Sequence, residues 1–440
     1  MDFATRRFYY NRCKPFEELD PSDERNLDVD RFGRERVRGI NWVEKLASRI
    51  EYSDEPVFEL YSGLPGSGKS TELRRLAQRL ASPQGAHLLP VRIDAEDAFD
   101  LANPIDIPDI IAAIVHAADE AVLQAEGKDP GKALEEGYLQ RLWTWLQRTD
   151  FDLGKAEYAI PEGPKLVVEM RTRPTLRARV RAAVAAHLTT FLREARDELI
   201  LQQARAERCG YRGLVVMVDS LEKLRGITTN WTEVLGSAER VFGSGAPYLR
   251  LPVHVLYTVP AALVSRFVGE VEFMPMIKLH ERDGGVFAAG YAAAREIIRR
   301  RIPDEPLCEI LGNACEERVR KIIELSGGYP REIVRLLQNV VASPEYPLPE
   351  DGLGRIFNEV RDGYRKAVPA EAFPWLAQVA VEHYLTIQNE DHRRAADLML
   401  SLNAVMRYLN SQDWFCLHPA VEQIPGVQAA IEALRQGAGG

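Results

Sequence analysis

The sequence predicts an α/β protein built on a parallel β-sheet, and three observations carry this prediction. Residues 63–70 read Gly-Leu-Pro-Gly-Ser-Gly-Lys-Ser, which satisfies the phosphate-binding pattern G-x-x-x-x-G-K-[ST] in full. The run at 214–219 is apolar on both faces and ends in an aspartate, as the central strand of a parallel sheet does. Strand-like and helix-like segments also alternate around these two motifs, which is typical of right-handed βαβ units.

The phosphate loop indicates the chemistry of the ligand. A β-favouring run precedes it and apolar residues at helical spacing follow it, so the loop lies between a strand and a helix N-terminus that favours phosphate. Lys69 supplies a charge to the β- and γ-phosphates, and the Ser70 hydroxyl is placed to bind Mg²⁺. We expect the nucleotide to be bound by a continuous stretch, namely Gly63, Leu64, Pro65, Gly66, Ser67, Gly68, Lys69, Ser70 and Thr71.

Length and composition indicate a globular protein of several domains and argue against several other classes of protein. A chain of 440 residues is expected to form two or three domains, and its 46% hydrophobic and 28% charged residues are typical of a soluble globular protein. A net charge of −9 argues against non-specific coating of nucleic acid, though not against a local basic face. The five cysteines include no C-x-x-C pair, which favours a reducing compartment without a disulfide framework or zinc site. With no signal peptide and no membrane span evident, the sequence predicts a cytoplasmic protein without a membrane partner.

Periodicity places the remaining elements along the chain. We expect helices at 34–50, 107–123, 291–301, 316–326 and 330–342, one long helix at 174–208, strands at 88–94, 253–258 and 276–279, and a hairpin from 404–409 and 414–417. The predicted organisation is an N-terminal arm (1–30), a P-loop core (31–284) with a helical insertion at about 125–210, a helical lid (285–343) and a C-terminal domain (350–440).

A phosphate loop needs a Mg²⁺-directing acid at the end of a neighbouring buried strand. Asp219 closes the strand at 214–219 and fits that role, and the alternative is that it caps the following helical turn. Three positions later, Glu222 is a candidate to hold or polarise the attacking water, although an exposed glutamate in a first helical turn is also commonplace. We therefore predict Lys69, Asp219 and Glu222 as the catalytic residues, with Ser70 and Asp219 directing Mg²⁺.

Four motifs together resemble AAA+ ATPases of the STAND and origin-recognition groups. They are Phe32-Gly33-Arg34-Glu35, the phosphate loop, Asp219-Ser220-Leu221-Glu222-Lys223-Leu224 and Gly327-Gly328-Tyr329-Pro330, in the family's order. The resemblance implies a P-loop NTPase core of the AAA+/STAND type, a helical lid and ATP as the nucleotide. It also implies that Phe32 packs against adenine, that Pro330 approaches the base or ribose, and that Arg331 is a second sensor. Ser220 in place of glycine and Lys223 in place of a second acid depart from the family's pattern.

The same resemblance assigns two further candidates in the core. Tyr257 and Thr258 end the strand after Asp219, where a polar side chain would read the γ-phosphate, and the alternative is a threonine bonded to its own loop. Arg266 lies where AAA+ proteins carry an arginine finger into a neighbouring subunit. A surface role is the alternative for that arginine, and Arg240 and the arginines at 299–301 are rivals for the finger.

The helical insertion and the C-terminal domain contain the residues from which binding partners can be predicted. The insertion ends in an arginine cluster that is able to contact nucleic acid or an acidic protein, or to form a solvated helix face: Arg171, Arg173, Arg177, Arg179 and Arg181. The C-terminal helices and hairpin resemble a winged helix, the usual companion of this lid. The hairpin loop at 410–413 lacks lysine and arginine, which argues against DNA binding by the wing.

These features predict an ATP-binding and hydrolysing switch that couples nucleotide state to homo-oligomerisation and to control of a separate effector protein. The chain contains no nuclease, protease or sensor-repeat motif, and this is why a partner is implied. A prokaryotic signalling or anti-phage defence role is the first hypothesis. The alternatives are a DNA-associated loader or transposition-type regulator, and a non-hydrolysing nucleotide-binding scaffold.

Overall fold

The computed structural model describes residues 1–130, 174–224, 230–267 and 270–437. Its first elements, in chain order, are α1 (Phe3–Arg12), α2 (Trp42–Glu51), β1 (Phe58–Gly63), α3 (Lys69–Ala81), β2 (Leu89–Asp94), α4 (Ala95–Ala98), α5 (Ile107–Ala125), α6 (Pro174–Ala186), α7 (Leu188–Arg208), β3 (Leu214–Asp219), α8 (Trp231–Phe242), α9 (Ala246–Leu249), β4 (His254–Thr258) and β5 (Val271–Met274). These are followed by α10 (Ala288–Arg299), α11 (Asp304–Leu311), α12 (Cys315–Ser326), α13 (Pro330–Ala342), α14 (Gly352–Ala367), α15 (Phe373–Glu382), α16 (Glu390–Ser401), β6 (Val405–Leu409), β7 (Asp413–Leu417), α17 (Pro419–Glu422) and α18 (Pro425–Gly437).

The chain divides into two compact units. We call Val43–Ser62 with Arg75–Glu272 the sheet unit, and Met1–Trp42 with Gly63–Arg74 and Phe273–Gly440 the loop unit. The division passes through β1, α3 and β5, so the phosphate loop belongs to the loop unit although it leaves a strand of the sheet.

The sheet has five strands in the order β2-β3-β4-β1-β5, and its registers set which residues share an edge. Within the sheet unit, β1, β2, β3 and β4 are paired in parallel. Asp94 lies opposite Asp219, and Tyr61 lies opposite Thr258. Every residue of β3 is buried, because α5 and α7 pack with the sheet in one hydrophobic core. The predicted α/β class with a parallel sheet is confirmed, and Asp219 and Thr258 come to the same carboxyl edge.

The loop unit contains the predicted lid and C-terminal domain. Helices α10 to α13 share one apolar core, and α13 spans the predicted residues 330–342. Helices α14, α15 and α16 precede an antiparallel pair in which Val405 faces Leu417 and Leu409 faces Asp413. Three helices followed by a hairpin are the winged-helix-like arrangement that the sequence predicts.

The N-terminal segment differs from the expected arm. Helix α1 packs against α13, and Cys13 is fully buried in the apolar core of the loop unit. The Arg12 guanidinium donates hydrogen bonds to the carbonyls of Arg300 and Arg301 just after α10. Residues 1–30 therefore pack with the lid, because their few apolar side chains and Arg12 find partners more than 250 residues away, which local sequence does not reveal.

Three element predictions need correction. The helix expected at 34–50 begins only at Trp42, because Gly39 has φ +82° and the Asp30 carboxylate accepts the Trp42 backbone N–H at 3.1 Å. The long helix expected at 174–208 is interrupted at His187, whose φ of −132° is not helical. Residues 276–279 are not a strand, since Met276 N–H donates to the Arg407 carbonyl outside the sheet.

Two further findings concern cysteines and membranes. Cys308 and Cys315 form a disulfide that joins α11 to α12, so the expectation of no disulfide is wrong for this pair. Their spacing in sequence gave no signal, because the turn between the two helices brings them together. Among the described residues, no helix combines the length and apolar character that crossing a membrane requires.

Candidate phosphate-binding site

The phosphate loop opens with a tight turn that its own sequence favours. Ser67 N–H donates to the Leu64 carbonyl at 3.1 Å, which closes a four-residue turn with Pro65 and Gly66 at its centre. Gly66 has φ +83°, the value that the third position of a type II turn requires and that glycine adopts without strain. Gly68 also has a positive φ, and α3 begins at the next residue, Lys69. The loop therefore ends at a helix N-terminus, as the sequence predicts.

Lys69 lies inside the curve of the loop. Its ammonium group donates to the carbonyls of Gly63 at 3.0 Å and Leu64 at 3.3 Å, and the residue is only 3% exposed. Ser70 and Thr71 follow in the first turn of α3. The positive charge of Lys69 is thus held at the loop by the loop's own backbone.

The lid supplies a second cation. A Cβ on residue 66 would lie 2.5 Å from Nε of Arg331, so only glycine allows this close approach. The Arg331 guanidinium lies 5.1 Å from the centre of the Phe16 ring, a cation–π contact. Arg331 forms no ion pair with any carboxylate in the described part of the chain. A guanidinium without an acidic partner beside a phosphate loop is a favourable place for an anion.

One carbonyl of the loop is held by two side chains from distant segments. The Tyr329 hydroxyl donates to the Pro65 carbonyl at 2.6 Å, and Asn403 Nδ2 donates to the same oxygen at 3.1 Å. Burial raises the pKa of Tyr329, so its phenol remains a donor. Asn403 is buried at a left-handed φ of +56°, two residues before β6 begins at Val405. Lid and C-terminal domain therefore meet at Pro65.

A buried cluster supports the loop from the other side. Arg38 is 2% exposed and donates to the Ser67 carbonyl at 3.0 Å and to the Glu72 carboxylate at 3.1 Å. Asp30 lies 4.0 Å from the same guanidinium. Burial raises the pKa of Asp30 to about 6, opposed by the charge of Arg38 and reinforced by that of Glu72. One cation thus connects the N-terminal segment, the loop and the first turn of α3.

The donors that remain at the loop fit a phosphate group. Within the described residues, the backbone N–H groups of Gly66 and Gly68 donate to no protein acceptor. The Ser67 hydroxyl is buried, and it too has no hydrogen-bond partner among those residues. A buried donor such as the Ser67 hydroxyl normally has a partner, and together with the two half-buried glycine N–H groups and Arg331 it suits an acceptor-rich anion.

In the sheet unit, a turn after β3 carries the two predicted acids. Ser220 N–H donates to Asp219 Oδ1 at 2.8 Å, and the Thr258 hydroxyl accepts the Leu221 N–H at 3.0 Å. Ser220 has φ +66°, a left-handed value that glycine adopts without strain and serine does not. Glu222 follows in a single 3₁₀ turn and is 8% exposed. The Thr258 hydroxyl therefore contacts the turn after the neighbouring strand β3 and not its own loop, and it fixes the turn that bears both acids.

The departure at Lys223 has a local explanation. Its ammonium group forms an ion pair with Glu96 on α4, the helix that follows the neighbouring strand β2. Position 223 therefore carries a cation with its own carboxylate partner, where the resemblance would lead one to expect a second acid. Glu222 remains the predicted base of this turn.

Other predicted residues have partners within their own unit. Phe32 packs against the apolar core of the loop unit, and Pro330 is the first residue of α13. Arg266 pairs with Glu239 of α8, a contact that gives it a structural role, while a role in trans stays a prediction.

The arginine cluster of the insertion is only partly described. Arg177 pairs with Asp100 at 3.4 Å, and Arg181 pairs with Asp109. Both guanidinium groups are therefore occupied by acids of the same unit. Arg171, Arg173 and the side chain of Arg179 lie outside the described residues.

Sequence reasoning missed Arg38, Asn403 and Phe16 at the site. Arg38 carries no motif signal, and its neighbour Arg34 belongs to the motif instead. Asn403 does carry a sequence signal, because asparagine favours the left-handed position after a helix. That signal predicts the backbone conformation and not the contact that the side chain makes. Tyr329 stands within the Gly327–Pro330 motif and could have been singled out.

No protein-family model and no curated protein matches the chain. Among solved structures, it is similar to the Aeropyrum pernix ORC2 protein in ADPNP-ADP complexes, at 13% identity and a TM-score of 0.40, over 96% of this chain and 98% of that one. It is also similar to Cdc6p from Pyrobaculum aerophilum (10%, TM-score 0.33, 96% and 98%) and to Drosophila ORC bound to DNA (13%, TM-score 0.35, 98% and 93%). These are proteins of the origin-recognition group that the four motifs resemble. The fold itself, a parallel P-loop sheet with a helical lid and a winged-helix-like domain, is established by the strand order and hairpin described above.

Proposed function

We propose that this protein is an ATP-binding and hydrolysing switch of the AAA+ type. The phosphate loop carries the proposal: phosphate is the ligand that suits its glycine N–H groups, Lys69 and the guanidinium of Arg331, which pairs with no carboxylate of the described residues. Adenine as the base is supported by resemblance alone, with Phe32 and Pro330 as the residues proposed beside it.

The proposed division of labour follows the positions of the residues. Ser70 and Asp219 would direct Mg²⁺, which when bound neutralises charge on the phosphates. Glu222 would orient water for attack on the γ-phosphorus, whose bond to the ADP oxygen then breaks, and Thr258 would hold the Asp219 turn in place. Asp219 is the last residue of β3 and lies at the carboxyl end of a parallel strand of the sheet unit, the edge at which α/β proteins bind ligands. Arg331 would stabilise the charge that develops.

We propose that the readout of this site is a change in assembly and in the binding of a separate effector protein. Tyr329 of the lid and Asn403 of the C-terminal domain both contact the Pro65 carbonyl, so a nucleotide at the loop acts next to both domains. This supports a switch in which nucleotide state controls homo-oligomerisation. Prokaryotic signalling or defence is the pathway that we propose from the motifs.

Steady-state hydrolysis tests the enzymatic part. We expect Mg²⁺-dependent turnover in the wild type, loss of ATP binding in Lys69→Ala, and loss of turnover with retained binding in Asp219→Asn and Glu222→Gln. A wild type that binds ATP without turnover would leave only a scaffold. A wild type that does not bind ATP would refute the proposal altogether.

Sizing by light scattering with ATP, with ADP and without nucleotide tests the switch. We expect a larger assembly with ATP and none of this response in Lys69→Ala. Adding duplex DNA separates the DNA-associated alternative, which demands ATP-dependent binding with a steep salt dependence. The ion pairs of Arg177 and Arg181, and the hydrogen bonds of Asn410 in the wing to Lys278 and Glu281, argue against that outcome.

A further inference from the structure

We propose that Arg38, Tyr329 and Asn403 are positioning residues that preset the phosphate loop by holding two of its carbonyl groups from outside. The Pro65 carbonyl is held by Tyr329 and Asn403, and the Ser67 carbonyl by Arg38. The inference rests on the proposed function, since it concerns the affinity of the same loop for phosphate.

The physical reason is the geometry of the peptide group. In a trans peptide, the C=O of one residue and the N–H of the next point in opposite directions. Holding the Pro65 carbonyl outward therefore turns the Gly66 N–H inward, and holding the Ser67 carbonyl outward does the same for the Gly68 N–H. Neither of these two N–H groups finds an acceptor among the described residues.

The loop needs such support because its glycines are conformationally permissive. Gly66 and Gly68 have φ values of +83° and +102°, and each could adopt other conformations at little steric cost. A loop that samples several conformations must be ordered when its ligand binds, and this lowers affinity. Side chains that fix the two peptide groups in advance remove that loss.

The three side chains are themselves well fixed. Arg38 is bound to the Glu72 carboxylate as well as to the Ser67 carbonyl. Rotation of its guanidinium away from the loop would therefore also break the hydrogen bond to the buried Glu72 carboxylate. Tyr329 is 4% exposed and Asn403 is 7% exposed. The backbone of Asn403 is also fixed, because its N–H donates to the Leu400 carbonyl and β6 begins two residues later at Val405.

The test compares two buried tyrosines in the same unit. Tyr329→Phe removes a hydroxyl from the Pro65 carbonyl, whereas Tyr408→Phe removes one from the Gly327 carbonyl, which it contacts at the same distance of 2.6 Å. Dissociation constants for ATP, ADP, tripolyphosphate and adenosine are measured by calorimetry, together with thermal stability. Asn403→Ala and the Tyr329→Phe/Asn403→Ala double variant complete the series.

We expect Tyr329→Phe and Asn403→Ala each to weaken ATP, ADP and tripolyphosphate binding about threefold to tenfold, and the double variant by about tenfold or more. Adenosine binding should not change, and Tyr408→Phe should lower thermal stability alone. Arg38→Lys, which keeps the charge but loses the planar fork, should weaken ATP binding about tenfold.

Each contrary result has its own meaning. If the double variant binds ATP as tightly as the wild type, or loses the same factor for adenosine, the positioning role is wrong while the proposed function stands. If the wild type binds neither ATP nor tripolyphosphate, both proposals fail.

Discussion

The phosphate loop and the acidic turn after β3 are fixed in opposite ways. The loop at 63–70 is supported by side chains from far along the chain, with Arg38 upstream and Tyr329 and Asn403 more than 250 residues downstream. The turn at Asp219 is supported by the adjacent strand through Thr258 and by its own backbone. The first depends on how distant segments pack together, and the second mainly on one sheet.

This difference predicts that variants of the two regions will affect different properties, namely nucleotide affinity and the rate of ATP hydrolysis. Substitutions at the supports of the loop should change the affinity for nucleotide, because the loop offers its N–H groups in the ground state as well as in the transition state. Substitutions at the supports of the acidic turn should change the rate, because Glu222 and Asp219 are proposed to act on the attacking water and the metal. The following predictions test whether the two regions separate in this way.

The largest effect is expected from Arg38→Met. It removes the cation that contacts the buried carboxylates of Asp30 and Glu72, which should lower the free energy of unfolding of the loop unit by about 3–5 kcal/mol. Adding Glu72→Gln should recover part of this loss, because one of the two buried charges is then removed. Urea denaturation of the single and double variants measures both steps, and an Arg38→Met protein as stable as the wild type would contradict the supporting role of this cluster.

Acidification should act on the loop unit through two groups with opposite signs. Burial lowers the pKa of His418 to about 3, so between pH 6 and 4 the unfolded chain takes up the proton first and stability falls as pH falls. Burial raises the pKa of Asp30 to about 6, so there the folded chain takes up the proton first and stability rises as pH falls. Each slope approaches about 1.4 kcal/mol per pH unit.

Two variants separate these opposing slopes. His418→Gln should make the protein less sensitive to acid than the wild type, and Asp30→Asn should make it more sensitive. Thermal melts at pH 4, 5, 6 and 7 measure the difference. Parallel pH profiles for the wild type and both variants would refute the assignment.

A smaller and more selective effect is expected from Thr258→Val. Loss of the hydroxyl leaves the Leu221 N–H without its acceptor, so the turn bearing Asp219 and Glu222 should shift and ATP turnover should fall about tenfold. ATP affinity should change less than twofold, in contrast to Tyr329→Phe. Thr258→Ser keeps the hydroxyl acceptor and serves as the control. If Thr258→Val lost more ATP affinity than turnover, the proposed difference between the supports of the loop and those of the acidic turn would be wrong.

The smallest effect is expected from Ser220→Gly. The left-handed φ of +66° is costly for serine but not for glycine, so stability should rise by about 0.5–1 kcal/mol, less the entropy that glycine gains in the unfolded chain. Ser220→Ala keeps a Cβ and should give no such rise. Denaturation midpoints of the three proteins decide whether the turn is strained as described.

A site residue could be predicted when its contacts lie within a few residues in the sequence, and could not when its partner is far away in the chain. Pro65-Gly66 specified a tight turn, and Lys69 and Asp219 followed from a motif and from a buried strand, because each signal lies within a few residues. Arg331 came from a resemblance and does lie against Gly66. Arg38 could not be predicted, since nothing near it in sequence says that its guanidinium will meet Ser67.

The amino-acid sequence by itself determined the α/β class, the turn at the phosphate loop, the buried strand that ends in Asp219 and the C-terminal hairpin. Periodicity, glycine and proline act locally on the backbone, and this is why these features can be read without a structure. Only the tertiary structure decided that α1 joins the lid, that the helix before β1 starts at Trp42, and that Asn403 contacts Pro65. Those outcomes depend on which buried donors and acceptors meet across hundreds of residues, and local preference does not specify such pairings.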